Sequence, residues 1–357
     1  MPSFSLDELQ QYTRPLCSPE QYEQKVANYH RVETSFAARA EYCAGMPVHL
    51  HVEATPRCNL TCPMCPTGRG LITRREHLSL TAFQQAFDQL VPSLANICIS
   101  GWGEPLLNPA TPAMINHATS KGVSVFLNTN GTVLDQCVDA ILEANLTLIT
   151  VALDGAVSRR THVYDEEFSF RRVVQAVELF KRRKEQGGHR YPLIQAKFIV
   201  TEETVDELDA LRAWAFNLGV EHVKVKRKFR MMPGRLERGK IYSLPQLETI
   251  HKHAVVRSTE ELDFTPLGCS HPWDSVFLAG DGQFGLCSWD PQDVVKLGPA
   301  HDDFARLWNG EALRQVRRWH TGQGAVGDPC RKCNRLPGHL WQGAAPEAVT
   351  ATQTVPG

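Results

Sequence analysis

The sequence predicts an α/β protein: a parallel sheet of six βα units, curved or doubly wound, followed by a smaller C-terminal region. Two observations carry this. From about residue 48 to residue 227, short apolar runs alternate with amphipathic helical stretches, as parallel strands joined by crossover helices require. After residue 240 the alternation stops, and "SVFLAGDGQFGLCSW" (275–289) reads as a hairpin turning at Gly280–Asp281–Gly282.

Residues 1–45 read as a helical extension without a chemical signal. The core follows over 46–240, with strands expected at 48–55, 96–101, 124–130, 146–154, 193–200 and 221–227. Helices such as "LTAFQQAFDQLV" and "VDELDALRAWAFNLG" lie between them, several closing on glycine, the usual residue past a helix C-terminus. The hairpin, the helical "HDDFARLWNGEALRQVRRWHTG" and "DPCRKCNRLPG" make up a second region, 241–343, and 344–357 is a frayed tail.

Composition narrows the function. At 357 residues, 42% hydrophobic and 22% charged, the chain suits a soluble globule with one large domain and a smaller one. A net charge of −1 gives no footprint for nucleic acid or membrane. "MPSFSLDELQQYTRPL" is no signal peptide, and no apolar run would span a bilayer, so the expected address is cytoplasmic. Thiols stay reduced there, and clustered cysteines bind metal more often than one another.

"CNLTCPMC" places Cys58, Cys62 and Cys65 in a C-x₃-C-x₂-C loop just past the first strand, on the active face of a parallel array. Three thiolates cap three corners of a cubane and leave one iron without a protein ligand. Structural zinc takes four ligands, and no fourth is evident nearby, so the spacing favours [4Fe–4S].

This loop resembles that of the radical S-adenosylmethionine superfamily, over about residues 46–230. "GWGEP" (101–105) follows the second strand, where the family has a GGEP-type segment; "NTNGT" (128–132) and "VALDG" (151–155) follow the third and fourth. Met64 stands where relatives have an aromatic residue near the adenine, and Ala152 where they often have serine. The resemblance implies a partial (βα)6 barrel. It also implies that the free iron chelates S-adenosylmethionine, whose reductive cleavage yields a 5′-deoxyadenosyl radical that abstracts hydrogen from substrate. Met64, Gly101, Trp102, Gly103, Glu104, Asn128 and Asn130 are the implied cofactor contacts, with Glu104 receiving the methionyl ammonium. A flavodoxin- or ferredoxin-type protein is the implied electron donor.

Cys269, Cys287, Cys330 and Cys333 form a second set, C-x₁₂-G-x₄-C with Gly282 as the glycine, then C-x₂-C. It resembles the SPASM/twitch extensions of the same superfamily, which hold auxiliary clusters; with no cysteine after Cys333, one auxiliary [4Fe–4S] cluster is implied. A zinc ribbon on the same thiolates, in a binding protein without radical chemistry, is the alternative.

His49, His51, Glu53 and Thr55 alternate with apolar residues on the first strand, and Gln195 and Lys197 share a face of the fifth. With Asp154 at the end of the fourth strand, Glu53 and Lys197 are candidates for proton transfer, and Cys98 for hydrogen-atom donation. The basic stretches 68–77 and 224–240 suit either solvated connectors or an anionic small-molecule substrate. The twitch-like spacing resembles that of 2-deoxy-scyllo-inosamine-type aminocyclitol dehydrogenases, which implies oxidation of a secondary alcohol on an aminocyclitol or sugar, with the auxiliary cluster as electron acceptor. A radical epimerase and a peptide-modifying maturase are the alternatives.

Overall fold

The computed structural model describes residues 5–62, 65–68, 70–154, 167–200, 207–227, 269–288, 290, 295–323 and 330. Met64, Gly155, Cys333, most of the basic stretch 224–240 and the tail lie outside these.

Six strands pair in parallel: β1 (His49–Val52), β2 (Asn96–Ile99), β3 (Ser124–Thr129), β4 (Leu148–Ala152), β5 (Leu193–Val200) and β6 (His222–Arg227). Each falls inside its expected run. Those of β1, β2 and β4 are shortened at the C-terminal end, where the chain leaves the sheet to build the site. The hairpin is β7 (Ser275–Leu278) with β8 (Gln283–Gly285), turning at Gly282 with φ +77°, and β9 (Lys296–Pro299) follows. β7 lies parallel to β1, so the sheet runs β6-β5-β4-β3-β2-β1-β7-β8-β9 and both regions share it. They share one apolar core as well.

Register explains the two faces of the sheet. Leu50, Ile97 and Val125 form one row, and Val52, Ile99 and Leu127 the next, all fully buried under the helices. The other face carries His51, Cys98 and Phe126, then Asn128, Thr150 and Gln195, then Ala152, Lys197 and Lys224. A polar concave face opposite an apolar one is what a barrel wall needs. The connecting helices bury apolar faces against the sheet. α3 (Leu80–Asp88), capped by Ser79 Oγ accepting from Ala82 N, puts Phe83 and Phe87 inside. α4 (Thr111–Thr119), α5 (Val138–Glu143), α6 (Glu167–Gln186) and α7 (Leu208–Leu218) follow, α7 ending on Gly219 in the left-handed conformation.

The N-terminal extension holds α1 (Leu6–Glu8) and α2 (Pro19–Ala37), started by a Ser18–Gln21 capping box. Between them, Thr13 Oγ1 donates to Ala95 O at 2.7 Å and Tyr12 packs edge-on to Phe126, closing the N-terminal end of the polar face. α8 (His271–Asp274), α9 (Phe304–Trp308) and α10 (Glu311–Trp319) complete the C-terminal region. Buried Arg317 on α10 donates to Pro272 O, Trp308 O, Asn309 Oδ1 and Glu41 O, tying the two ends of the chain together. No helix among the described residues is long and apolar enough to cross a membrane.

Burial pushes the imidazoles of His49 and His320 down to about 4, from an ordinary value of 6.5. The unfolded chain therefore binds more protons than the folded one between about pH 6.5 and 4, so stability is lost as pH falls through that window. At pH 5 each histidine is expected to cost on the order of 2 kcal/mol relative to neutral pH. Urea unfolding at pH 7 and pH 5 checks this: His320→Phe should narrow the difference between the two.

Candidate active site and cysteine centres

The loop after β1 carries Cys58, Cys62 and Cys65, and the loops after β2 and β3 close on it. Asn130 Nδ2, in the β3 loop, reaches Asn59 Oδ1 at 3.0 Å and Cys58 Sγ at 3.7 Å, and Leu60 N–H points at the same sulfur at 3.4 Å. Asn59 in turn donates to Thr132 Oγ1 at 2.7 Å. From the β2 side, a Cβ on Gly103 would stand 2.1 Å from Thr55 O and 2.5 Å from Arg57 O, so only glycine lets this loop lie on the cysteine loop. Gly101 has φ +146° and backs onto the Glu53 side chain, where a Cβ would meet Cγ at 3.0 Å. Both glycines thus serve contacts within the protein itself.

The three thiols lie close enough to act on one another. Burial, then the neighbouring Cys65 and Cys58, push Cys62 up to about 12; burial is also the main cause of the rise at Cys58. Among the described residues no three Cys, His, Asp or Glu side chains close around a single-ion site. Crowded thiols, with Cys58 and Cys62 desolvated and N–H groups aimed at Cys58 Sγ, suit an iron centre, which would favour the thiolates while Cys58 Sγ goes on accepting from those N–H groups.

Glu104 is buried and accepts from Leu106 N (3.1 Å), Thr129 Oγ1 (2.7 Å) and Asn130 N (2.7 Å). Burial raises its pKa against these donors. It pins the β2 loop to the β3 loop and keeps about one of a carboxylate's four acceptor positions for a further donor. Beside it, Trp102 is buried, its indole N–H without a partner among the described residues, while its carbonyl accepts from Thr67 Oγ1 at 2.5 Å.

Glu53, expected as a base, lies just beyond β1 with its carboxylate already engaged. Arg74 Nη2 approaches both oxygens, at 3.1 and 3.3 Å, and Trp102 N and Gly280 N each donate at 3.3 Å. The residue joins the loops after β1 and β2, the basic loop and the hairpin turn. Arg74 had no signal beyond belonging to a basic stretch; its partner lies 21 residues away. Asp154 is likewise committed, accepting from Ile199 N at 2.6 Å across β4 and β5. Lys197 differs: it stands on the polar face and makes no hydrogen bond or ion pair among the described residues. Cys98 sits half-buried on the same face, its Sγ accepting from Asn128 Nδ2 at 3.3 Å and donating to Ser100 Oγ at 3.4 Å.

In the second set, Cys287 follows β8, with His271 Nδ1 at 3.6 Å from its sulfur. Cys269 precedes α8, and Cys330 packs on the core. A ring nitrogen beside the Cys287 sulfur fits a thiolate-bound cluster, whose sulfurs accept such N–H groups.

The comparisons agree with this geometry. A family model for the radical SAM superfamily matches residues 52–195, and one for an iron–sulfur cluster-binding domain, SPASM, matches residues 269–334. Among curated proteins, a tungsten-containing aldehyde ferredoxin oxidoreductase cofactor-modifying protein of Pyrococcus furiosus is 26% identical, over 76% of this chain and 72% of its own. The mycofactocin maturase MftC of Mycobacterium ulcerans is 28% identical, over 82% and 84%. A PqqA peptide cyclase of Ruegeria pomeroyi is 24% identical, over 81% and 80%. An iron–sulfur domain stands where a zinc ribbon was the alternative. The chain thus carries a radical SAM domain over residues 52–195 and a SPASM-type iron–sulfur domain over residues 269–334, and the cofactors that go with them are [4Fe–4S] clusters and S-adenosylmethionine.

Proposed function

We propose that this chain is an oxidising maturase: it takes a hydrogen atom, and then a proton and an electron, from a residue of a peptide substrate. Cys58, Cys62 and Cys65 would hold the cluster that binds S-adenosylmethionine, and Cys269, Cys287, Cys330 and Cys333 the auxiliary one. Loaded with these groups, the first site supplies the 5′-deoxyadenosyl radical and the second an acceptor for one electron. The observation that carries the oxidative reading is the pairing of β7 with β1. It sets the second cysteine region against the polar face, with His271, beside Cys287, stacked on His51 at 5.8 Å. An enzyme that returned hydrogen to its substrate would need no acceptor there. The peptide reading leans on relatives named as a maturase and a peptide cyclase, matched over most of their length.

The protein's own tasks are positioning and exclusion of water. Glu104 and Asn130 hold the β2 and β3 loops to the cysteine loop, Trp102 offers its indole N–H, and Lys197 is the candidate for proton transfer on the polar face. Lys197 also favours a second reading, oxidation of a secondary alcohol on an aminocyclitol or sugar, in which it receives the hydroxyl proton.

Anaerobic incubation with S-adenosylmethionine, reductant and deuterated candidates separates these readings. The candidates are short peptides encoded beside the gene and a panel of aminocyclitols. The expected result is a peptide two hydrogens lighter, with deuterium in 5′-deoxyadenosine. A carbonyl on an aminocyclitol selects the second reading. An isomerised product carrying solvent hydrogen, stalled by Cys98→Ala, overturns both in favour of an epimerase.

A further inference from the structure

The N-terminal extension ends beside the second cysteine set. α2 stops at Ala37, and two residues on the chain turns at Arg39, whose φ of 50° lies in the left-handed region where glycine is usual. The guanidinium's surroundings account for an arginine there. It lies over the Phe36 ring at 4.1 Å and within 5.5 Å of the Trp273 ring centre. Trp273 belongs to α8, which opens just after Cys269, and its indole N–H fixes the turn by donating to Ala40 O at 2.7 Å. The Arg39 Nη1 is buried with no hydrogen-bond partner among the described residues. A buried guanidinium N–H left without an acceptor is costly unless a bound group supplies one. At the start of the same helix, His271 Nδ1 stands 3.6 Å from Cys287 Sγ. With a thiolate as partner, that nitrogen must carry the proton.

We propose that Arg39 and His271 set the reduction potential of the auxiliary cluster. Arg39 brings a positive charge against α8, the helix that opens just after Cys269, and His271 donates from Nδ1 to Cys287 Sγ. An all-thiolate cluster gains negative charge on reduction, so both groups stabilise the reduced form more than the oxidised one and raise the potential. The inference rests on the oxidative reading above and deepens it, since a higher potential makes the second site the better electron acceptor. It also gives the N-terminal extension a chemical role.

The test uses the full chain, reconstituted anaerobically, with Cys58, Cys62 and Cys65 changed to alanine so that a single cluster reports. Its midpoint is followed by EPR-monitored redox titration. Arg39→Gln and His271→Phe are each expected to shift the equilibrium about tenfold toward the oxidised form, about 59 mV for one electron, at unchanged iron content. Arg39→Lys and His271→Gln, which keep the charge and a donor, should recover most of the shift. A midpoint unmoved in iron-replete Arg39→Gln overturns the role of Arg39. Should that variant lose its iron, the His271 pair decides: equal midpoints in His271→Phe and His271→Gln overturn the proposal, and a recovered one supports it. A parent chain that binds no iron at its C-terminal cysteines overturns the oxidative reading itself, before any variant of Arg39 is made.

Discussion

Cys62→Ala is expected to abolish formation of 5′-deoxyadenosine and to lower iron from about eight to about four atoms per chain, leaving the second centre in place. Burial first, and then Cys65 and Cys58, push this thiol up to about 12. It can ionise only when a cation arrives, and without it two thiolates cannot keep the cluster from exchanging with solvent. Assembly must then release protons and weaken as pH falls. Iron and sulfide analysis beside a nucleoside assay checks both parts. Retained cleavage of S-adenosylmethionine in a Cys62→Ala chain that keeps a full complement of iron would place the reactive centre elsewhere.

Glu53→Ala is expected to cost about 3–5 kcal/mol of folding stability, far more than a surface charge, because it strands a buried partner. The Glu53 side chain is fully buried and that of Arg74 only 14% exposed. Removing the carboxylate takes away the counter-charge 3.1 Å from the Arg74 guanidinium and the acceptor of the Trp102 and Gly280 N–H groups. Glu53→Gln should cost less, since it keeps an acceptor, and Lys197→Ala should stay within about 0.5 kcal/mol of the parent. Urea unfolding measures all three. If Glu53→Ala proved as stable as Lys197→Ala while losing turnover, Glu53 would be acting as a base rather than as the tie between four loops.

The contrast between these residues shows what could be read from the chain before its fold. Three cysteines within eight residues meet whatever the rest of the chain does, because the loop is too short to part them. The order of strands and helices was equally legible, since periodicity two and helical periodicity are written residue by residue. "GWGEP" could be placed after the second strand by the same reasoning. The partners of Glu53 could not. Arg74 comes from a loop 21 positions on and Gly280 N from a hairpin 227 positions on, and nothing local marks either. Arg39 reaches Trp273 across a similar span, from an extension that reads simply as helical.

By itself, then, the sequence determined the alternation of strand and helix, the two cysteine sets and the loops that accompany the first. Those depend on spacing and backbone preference within a few residues. Only the tertiary structure decided that β7 lies beside β1, that Glu53 is spent on Arg74 while Lys197 makes no ion pair among the described residues, and that Arg39 and His271 stand around the start of α8. Such contacts join segments far apart in the chain, and it is the burial of one shared core that brings them together.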